Sequence, residues 1–209
     1  MIKNIIFDLG GLFIDVYMDA TRKKVEEYCG EPMKEVEAKL SASGLFDAYE
    51  TGAISTDAFL SHWQKALPAT MPFDLLVEAW NAVLGPVYVD RLEEVQSLRD
   101  RYRIFLLSNT NDLHVEGFEN WLESHHGFRE LTPYFEKVYY SQKLGLRKPN
   151  PVIFERVANE NGLITSETLF IDDSPGHLIG AKQTGMMVFH HPGNTDIRLS
   201  LKQIGLLDH

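Results

Sequence analysis

Short, unbroken apolar runs punctuate this chain, and each ends abruptly on polar residues. Ile5-Ile6-Phe7 stops at Asp8 and passes into Gly10-Gly11; Ile104-Phe105-Leu106-Leu107 stops at Ser108-Asn109-Thr110-Asn111. Leu169-Phe170-Ile171 stops at Asp172-Asp173, and Val138-Tyr139-Tyr140 and Met187-Val188-Phe189 are further runs of this kind. Runs of this length bounded by turn residues fit strands buried on both faces, as in a parallel sheet. Between them the apolar spacing is helical. Leu92, Val95 and Leu98 mark one helix, and Asn150-Pro151 supplies an N-cap and first-turn pair for a helix over 152–159. Ser174-Pro175 opens another that stops at Gly185. Strands alternating with helices predict right-handed crossovers and an α/β, Rossmann-like, doubly wound and mainly parallel sheet.

One region breaks the alternation. Thr21 to Cys29 reads as a short amphipathic helix closed by Gly30 at C′. From there to about Val87 the pattern stays helical, with no convincing strand. Ser55 or Thr56 caps a helix that places Phe59, Leu60, Trp63 and Leu67 on one face, and a further helix covers 73–83. Residues 15–88 are therefore expected to form an all-helical domain inserted into a core made of 1–14 and 89–209. Trp63 and Trp80 are expected in the core of that insertion or at its interface. The stretch 112–135 reads as irregular and aromatic-rich.

With 209 residues, 44% hydrophobic and 24% charged, the composition is that of a soluble globular protein. The formal charge of −10, with no long basic cluster, argues against nucleic acid as the main partner. A single cysteine, Cys29, excludes an internal disulfide and suits a reducing compartment. It sits on the helical face of Val25, which favours buried filler over a nucleophile. No secretory pattern and no apolar run of about 18 residues is present. The expectation is a cytoplasmic protein with no membrane partner, monomeric or homodimeric.

Parallel strands bring their C-terminal ends to one sheet edge, where open α/β sheets bind ligands. Asp8, Ser108-Asn109 and Asp172-Asp173 should converge there, with Lys148 in the loop before the helix capped by Asn150. Apposed carboxylates need a cation, and the hard cation that suits oxygen donors most simply is Mg²⁺. A hydroxyl with backbone N–H groups at a strand tip, beside a lysine, forms an anion cradle. Together these suggest phosphoryl transfer with an aspartate nucleophile.

The order of an apolar run into Asp8, Ser108-Asn109-Thr110, Lys148-Pro149 and Ile171-Asp172-Asp173-Ser174 resembles the four motifs of the haloacid dehalogenase-like superfamily. The resemblance spans the chain, and the helical insertion is similar to the small cap of one large subgroup. The segment Lys143 to Pro149 and the Asp-Asp-Ser stretch are similar to small phosphatases acting on sugar phosphates and related metabolites. The resemblance implies that Asp8 attacks phosphorus, Ser108 and the Asn109 amide hold phosphoryl oxygens, and Lys148 offsets their charge. It implies Mg²⁺ on Asp8, the Gly10 carbonyl and Asp172, with Asp173 at or just behind the metal, and a small phosphorylated metabolite as partner.

Two positions depart from the family pattern. The second aspartate, which usually serves as general acid and base, is Gly10, and Asp15 is the nearest acidic alternative in sequence. His177 stands where relatives often carry asparagine. Gly10 leaves open a slow phosphatase, a preference for good leaving groups, or another recruited acid. A 2-haloacid dehalogenase is disfavoured because a metal-free site has little use for Asp172-Asp173, and a phosphomutase because it needs the missing acid. A catalytically impaired, metabolite-binding relative is the reading from another class. His125-His126 and His190-His191 lack the spacing of a helical zinc site and are expected in surface or loop roles. Asn111 and His114 are candidates to line the pocket, and specificity is expected around Phe46–Tyr49.

Overall fold

The computed structural model describes residues 1–207. In chain order its elements are β1 (Asn4–Phe7), β2 (Ile14–Val16), α1 (Ala20–Cys29), α2 (Lys34–Ala42), α3 (Leu45–Glu50), α4 (Thr56–Ala66) and α5 (Phe73–Asn81). There follow β3 (Leu84–Val87), α6 (Val89–Ser97), β4 (Arg103–Ser108), α7 (Asp112–His126), β5 (Lys137–Tyr140) and α8 (Ser141–Leu144). The chain continues through α9 (Pro151–Asn161), β6 (Thr168–Asp172), α10 (Pro175–Gln183), β7 (Met187–His190) and α11 (Ile197–Gln203).

Five strands form one parallel sheet in the order β5-β4-β1-β6-β7. The central β1 pairs with β4 and β6, Phe7 lying beside both Leu106 and Ile171. Both faces are buried, which is why the runs are apolar without alternation. Ile5, Phe7, Ile104 and Leu106 pack on one side toward α6, α7 and α11; Ile6, Phe105, Leu107 and Phe170 pack on the other toward α9 and α10. The strand order reverses across β1, and ligand crevices in such sheets open at that point.

The helices α1–α5 have their own apolar cluster, built on Val25, Leu40, Phe59, Trp63 and Leu76. Their attachment differs from the expectation of an uninterrupted helical stretch. β2 and β3 pair antiparallel, Ile14 beside Val87 and Val16 beside Leu84, where the chain leaves and re-enters the core. Gly85 and Pro86 hide β3 from a propensity reading; its partner, about 70 residues away, supplies the ladder. The second difference is α7, where an irregular segment was expected. Asn111 caps it by accepting from the His114 amide, and Leu113, Phe118 and Leu122 bury its face. Tertiary burial outweighs the modest helix preference of its aromatic, histidine and glycine residues. The predicted end of α1 holds: Gly30 takes a left-handed φ of 71° and donates to the Glu26 carbonyl.

Candidate active site

Asp8 follows β1 directly and still donates its backbone N–H to the Ile171 carbonyl (2.9 Å), so it stands at the sheet edge beside β6. Its side chain is buried. Oδ1 accepts from the Leu9 amide (2.7 Å) and from Lys148 Nζ (2.7 Å). Oδ2 is left without a hydrogen bond among the described residues, facing a cavity that Asp8 lines together with Gly10, Ser108, Asn109 and Asp173.

Lys148 has no exposed surface, and its ammonium bridges Asp8 and Asp172 Oδ2 (2.8 Å). The sequence puts this lysine in a loop; the structure shows what holds it. Asn109 Oδ1 accepts from the Lys148 amide (2.8 Å) and Asn109 Nδ2 donates to the Lys148 carbonyl (2.9 Å). The Asn109 side chain is thus a clamp on the lysine backbone. Burial favours a neutral amine, but the two carboxylates outweigh it and raise the Lys148 pKa.

Asp172 is saturated with donors. Oδ1 accepts from the Ser174 amide (2.7 Å), Oδ2 from Lys148, and His177 Nδ1 lies 3.0 and 2.9 Å from the two oxygens. Burial opposes its ionisation, but the ammonium and then His177 hold its carboxyl well below the usual range. Asp8 carries the opposite imbalance. Burial, then repulsion from Asp172, push its carboxyl up to about 8 despite Lys148. Two carboxylates share one ammonium, so the pair carries an unmet demand for positive charge.

Asp173 supplies the remaining oxygens. Its carboxylate lies against Gly11 and Gly193, where a Cβ at either position would overlap it, and it has no hydrogen-bonded partner among the described residues. Burial and Asp172 raise its pKa. The backbone of this acidic pair is gripped from β7: His191 N–H donates to the Asp172 carbonyl (3.0 Å) and His190 Nε2 donates to the Asp173 carbonyl (2.9 Å). His191 is therefore no surface residue; it is fully buried, with Nδ1 2.8 Å from Ser200 Oγ. His125 and His126 end α7 at the surface, His125 stacked on Trp121.

Three oxygen-bearing groups and a histidine thus meet. Asp8, Asp172 and His177 offer ligand atoms within 4.8 Å of one another. His177 Nδ1 is committed to Asp172, so the donors left for a cation are the carboxylates of Asp8 and Asp173, with Asp172 behind them. That oxygen set suits Mg²⁺. Asp15 stands apart from this group: it accepts from Tyr88 Oη (2.8 Å) and is not part of the cavity wall.

Helices α1–α5 close over the site. Trp80 Nε1 donates to Asn111 Oδ1 (3.1 Å), the ring stacks on His114, and His114 Nε2 donates to the Trp80 carbonyl (3.3 Å). Tyr49 Oη accepts from the Leu113 amide (3.3 Å). These contacts fasten the helical layer to the N-terminus of α7, just beyond Ser108-Asn109. Of the expected pocket residues, Phe46 and His114 line the cavity, while Tyr49 and Asn111 are buried behind it. Sequence reasoning missed three supports. Buried Arg91 donates to the Leu12 and Thr195 carbonyls (both 2.8 Å). Asn194 donates its backbone N–H to the Gly11 carbonyl (2.9 Å), and its side chain bonds both backbone groups of Val16. Glu50, on the cavity wall, has its pKa raised by burial although Arg147 lies 2.9 Å away.

A parallel sheet bearing an aspartate at its central tip, a buried lysine and an acidic pair, under a layer of helices, places the chain among hydrolases with an α/β core. The sequence model for haloacid dehalogenase-like hydrolases matches residues 2–185, and this chain belongs to that family. A D-ribitol-5-phosphate phosphatase from Bacteroides thetaiotaomicron is 30% identical over 207 residues, covering 98% of each chain. A haloacid dehalogenase family enzyme from the same organism, solved with magnesium and inorganic phosphate, superposes with a TM-score of 0.81 at 28% identity, covering 94% of this chain and 97% of that one. A predicted family hydrolase from Porphyromonas gingivalis gives a TM-score of 0.84 at 29% identity over 100% of both chains.

Proposed function

We propose that this hydrolase is a Mg²⁺-dependent phosphatase of a small phosphorylated metabolite, acting through an aspartyl-phosphate on Asp8. The observation that carries the reading is the asymmetry of the Asp8 carboxylate. Oδ1 is fixed by the Leu9 amide and Lys148, and Oδ2 is open to the cavity. In this reading Oδ2 attacks phosphorus, the P–O bond to the alcohol breaks, and the alkoxide leaves with a proton taken from the surroundings. Water then cleaves the acyl-phosphate, releasing inorganic phosphate and restoring the carboxylate. Ser108, the Asn109 amide and Lys148 hold the phosphoryl oxygens, and the Asn109 side chain keeps Lys148 in place. The magnesium and phosphate complex of the Bacteroides enzyme and the phosphatase name of the 30%-identical relative support the assignment.

Asp8, the Gly10 carbonyl and Asp173 would hold Mg²⁺, with Asp172 behind them. When bound, the metal supplies positive charge to the phosphoryl oxygens and to the carboxylate pair that Lys148 alone leaves under-compensated. Gly10 provides no acid, and Asp15 is engaged with Tyr88. Leaving groups that depart as stable anions are therefore favoured, because general acid catalysis contributes about 10²–10⁴-fold where it operates. The test is phosphate release from phenyl phosphate with and without Mg²⁺, in wild type and Asp8→Asn. We expect metal-dependent turnover that falls at least about 10³-fold in the variant. Turnover that survives Asp8→Asn, or wild type inert with Mg²⁺, overturns the reading.

A further inference from the structure

The cavity that opens on Asp8 continues well past the carboxylates, with a volume of about 610 Å³, within the range of small-molecule sites. Its far wall comes from the cap: Val25 of α1, Met33, Val36 and Leu40 at α2, Phe46 of α3 and Trp63 of α4. Val25, Met33 and Trp63 each expose under 5% of their surface, so they belong to the core of the helical layer as well as to this wall.

Most polar side chains in this wall are already engaged. Thr21 Oγ1 donates to the Trp80 carbonyl (3.2 Å). Arg22 is held by Asp19 (2.7 Å) and Glu26 (3.1 Å), with Glu37 3.6 Å from its Nε. His114 spends one ring nitrogen on Asn111 and the other on Trp80. Glu50 faces Arg147. A polyol placed here would bury hydroxyls that find few partners, and each unpaired polar group costs more than an apolar one of the same size.

We infer that the preferred substrates are phosphate monoesters of a mainly apolar alcohol, with the phosphoryl group at Asp8 and the apolar body in the cap cavity. This rests on the phosphatase reading above and narrows it: the sheet edge reads the phosphate, and the cap reads hydrophobic volume. Gly10 fits the same assignment, since an apolar aryl ester leaves without a strong acid.

The test is a ladder of para-alkyl phenyl phosphates (hydrogen, methyl, ethyl, propyl) with Mg²⁺, in which leaving-group acidity stays nearly constant while the apolar body grows. We expect kcat/KM to rise about fourfold per methylene, and the ethyl ester to exceed the para-hydroxymethyl ester, of equal size, at least about tenfold. In Val36→Phe, which fills part of the cavity, the rise should stop earlier on the ladder. A flat ladder, or a hydroxymethyl ester as good as the ethyl ester, overturns the inference while leaving the phosphatase assignment intact. If no ester is turned over, the phosphatase assignment fails, and titration of tryptophan fluorescence with propyl- and methylphosphonate decides the cavity. Affinity at least about tenfold higher for the propyl compound upholds an apolar site, and equal affinity overturns it.

Discussion

The two walls of the cavity are built on opposite principles. At the sheet edge, Asp8, Lys148 and Asp172 are ionisable, buried and joined by bonds of 2.7 and 2.8 Å, with Asp8 Oδ2 and the Asp173 carboxylate the oxygens left without a partner among the described residues. In the cap, the wall is aliphatic and aromatic, held by packing such as the Phe46–Trp80 stack (5.5 Å between centroids). Charged clusters in a low-dielectric setting tolerate no missing member, because the remaining charge is left uncompensated. Apolar walls tolerate changes of shape if volume is conserved. The first arrangement fixes one chemistry, and the second allows the leaving group to vary without disturbing it.

The sharpest way to break this contrast is to remove one charge of each sign from the sheet edge. Lys148→Met leaves Asp8 and Asp172 facing each other in a buried site, and we expect a loss of about 3–5 kcal/mol in urea unfolding, partly recovered by added Mg²⁺. Asp8→Asn removes repulsion from Asp172, so its stability should equal or exceed that of wild type although turnover is lost. Equal destabilisation by both changes would mean that the cluster acts as ordinary packing.

Gly10→Asp comes next. A Cβ at Gly10 meets Val16 Cγ2 at 3.1 Å, a contact that a small movement of one side chain relieves, and Gly10 is not in the left-handed region. We expect the added carboxyl to raise turnover of alkyl phosphates about 10²-fold, with little change for phenyl phosphate. Gly10→Asp combined with Val16→Ala should show the same gain if the contact is harmless. An equal gain on both ester types would show that the carboxyl acts on something other than the leaving group.

How much of this was legible in the chain follows from where each residue gets its instructions. Asp8, Ser108, Asp172 and Asp173 lie at or directly after strands whose unbroken apolar runs announce burial, so sheet and site were readable together. Lys148 sits in a loop, and its place before the Asn150-capped helix and in a family motif pointed to it; the Asn109 clamp that aims it joins residues 39 positions apart. Arg91 and Asn194 escaped notice, and His191 was not expected to be buried, because their partners do not show in the local pattern, as with Asn194 and Val16, 178 positions apart. The β2–β3 pairing escaped for the same reason. The cap cavity was invisible in principle: Val25, Leu40 and Trp63 show a helical spacing that means apolar surroundings, whether those surroundings are filled or open.

The smallest expected effect concerns the joint between the two walls, His114. Its ring stacks on Trp80, Nε2–H donates to the Trp80 carbonyl, and Nδ1 must accept from Asn111 Nδ2 (3.1 Å), because Asn111 Oδ1 already receives the His114 amide and Trp80 Nε1. Protonation would set a donor against a donor there, and burial lowers the pKa from 6.5 to about 4. The unfolded chain therefore binds a proton that the folded chain refuses between those values, and stability must fall as pH falls through that window. The full displacement corresponds to about 3 kcal/mol; the ring's partial exposure to the cavity reduces the expected loss between pH 7 and pH 5 to about 1–2 kcal/mol. His191, whose pKa burial also lowers, adds in the same direction. Urea unfolding of wild type and His114→Phe, which keeps the stack and cannot titrate, isolates the contribution. The variant should lose about 1 kcal/mol less than wild type over that interval. Parallel losses would locate the acid sensitivity elsewhere, and the cap would then be held to α7 by stacking and the Tyr49 contact rather than by a neutral imidazole.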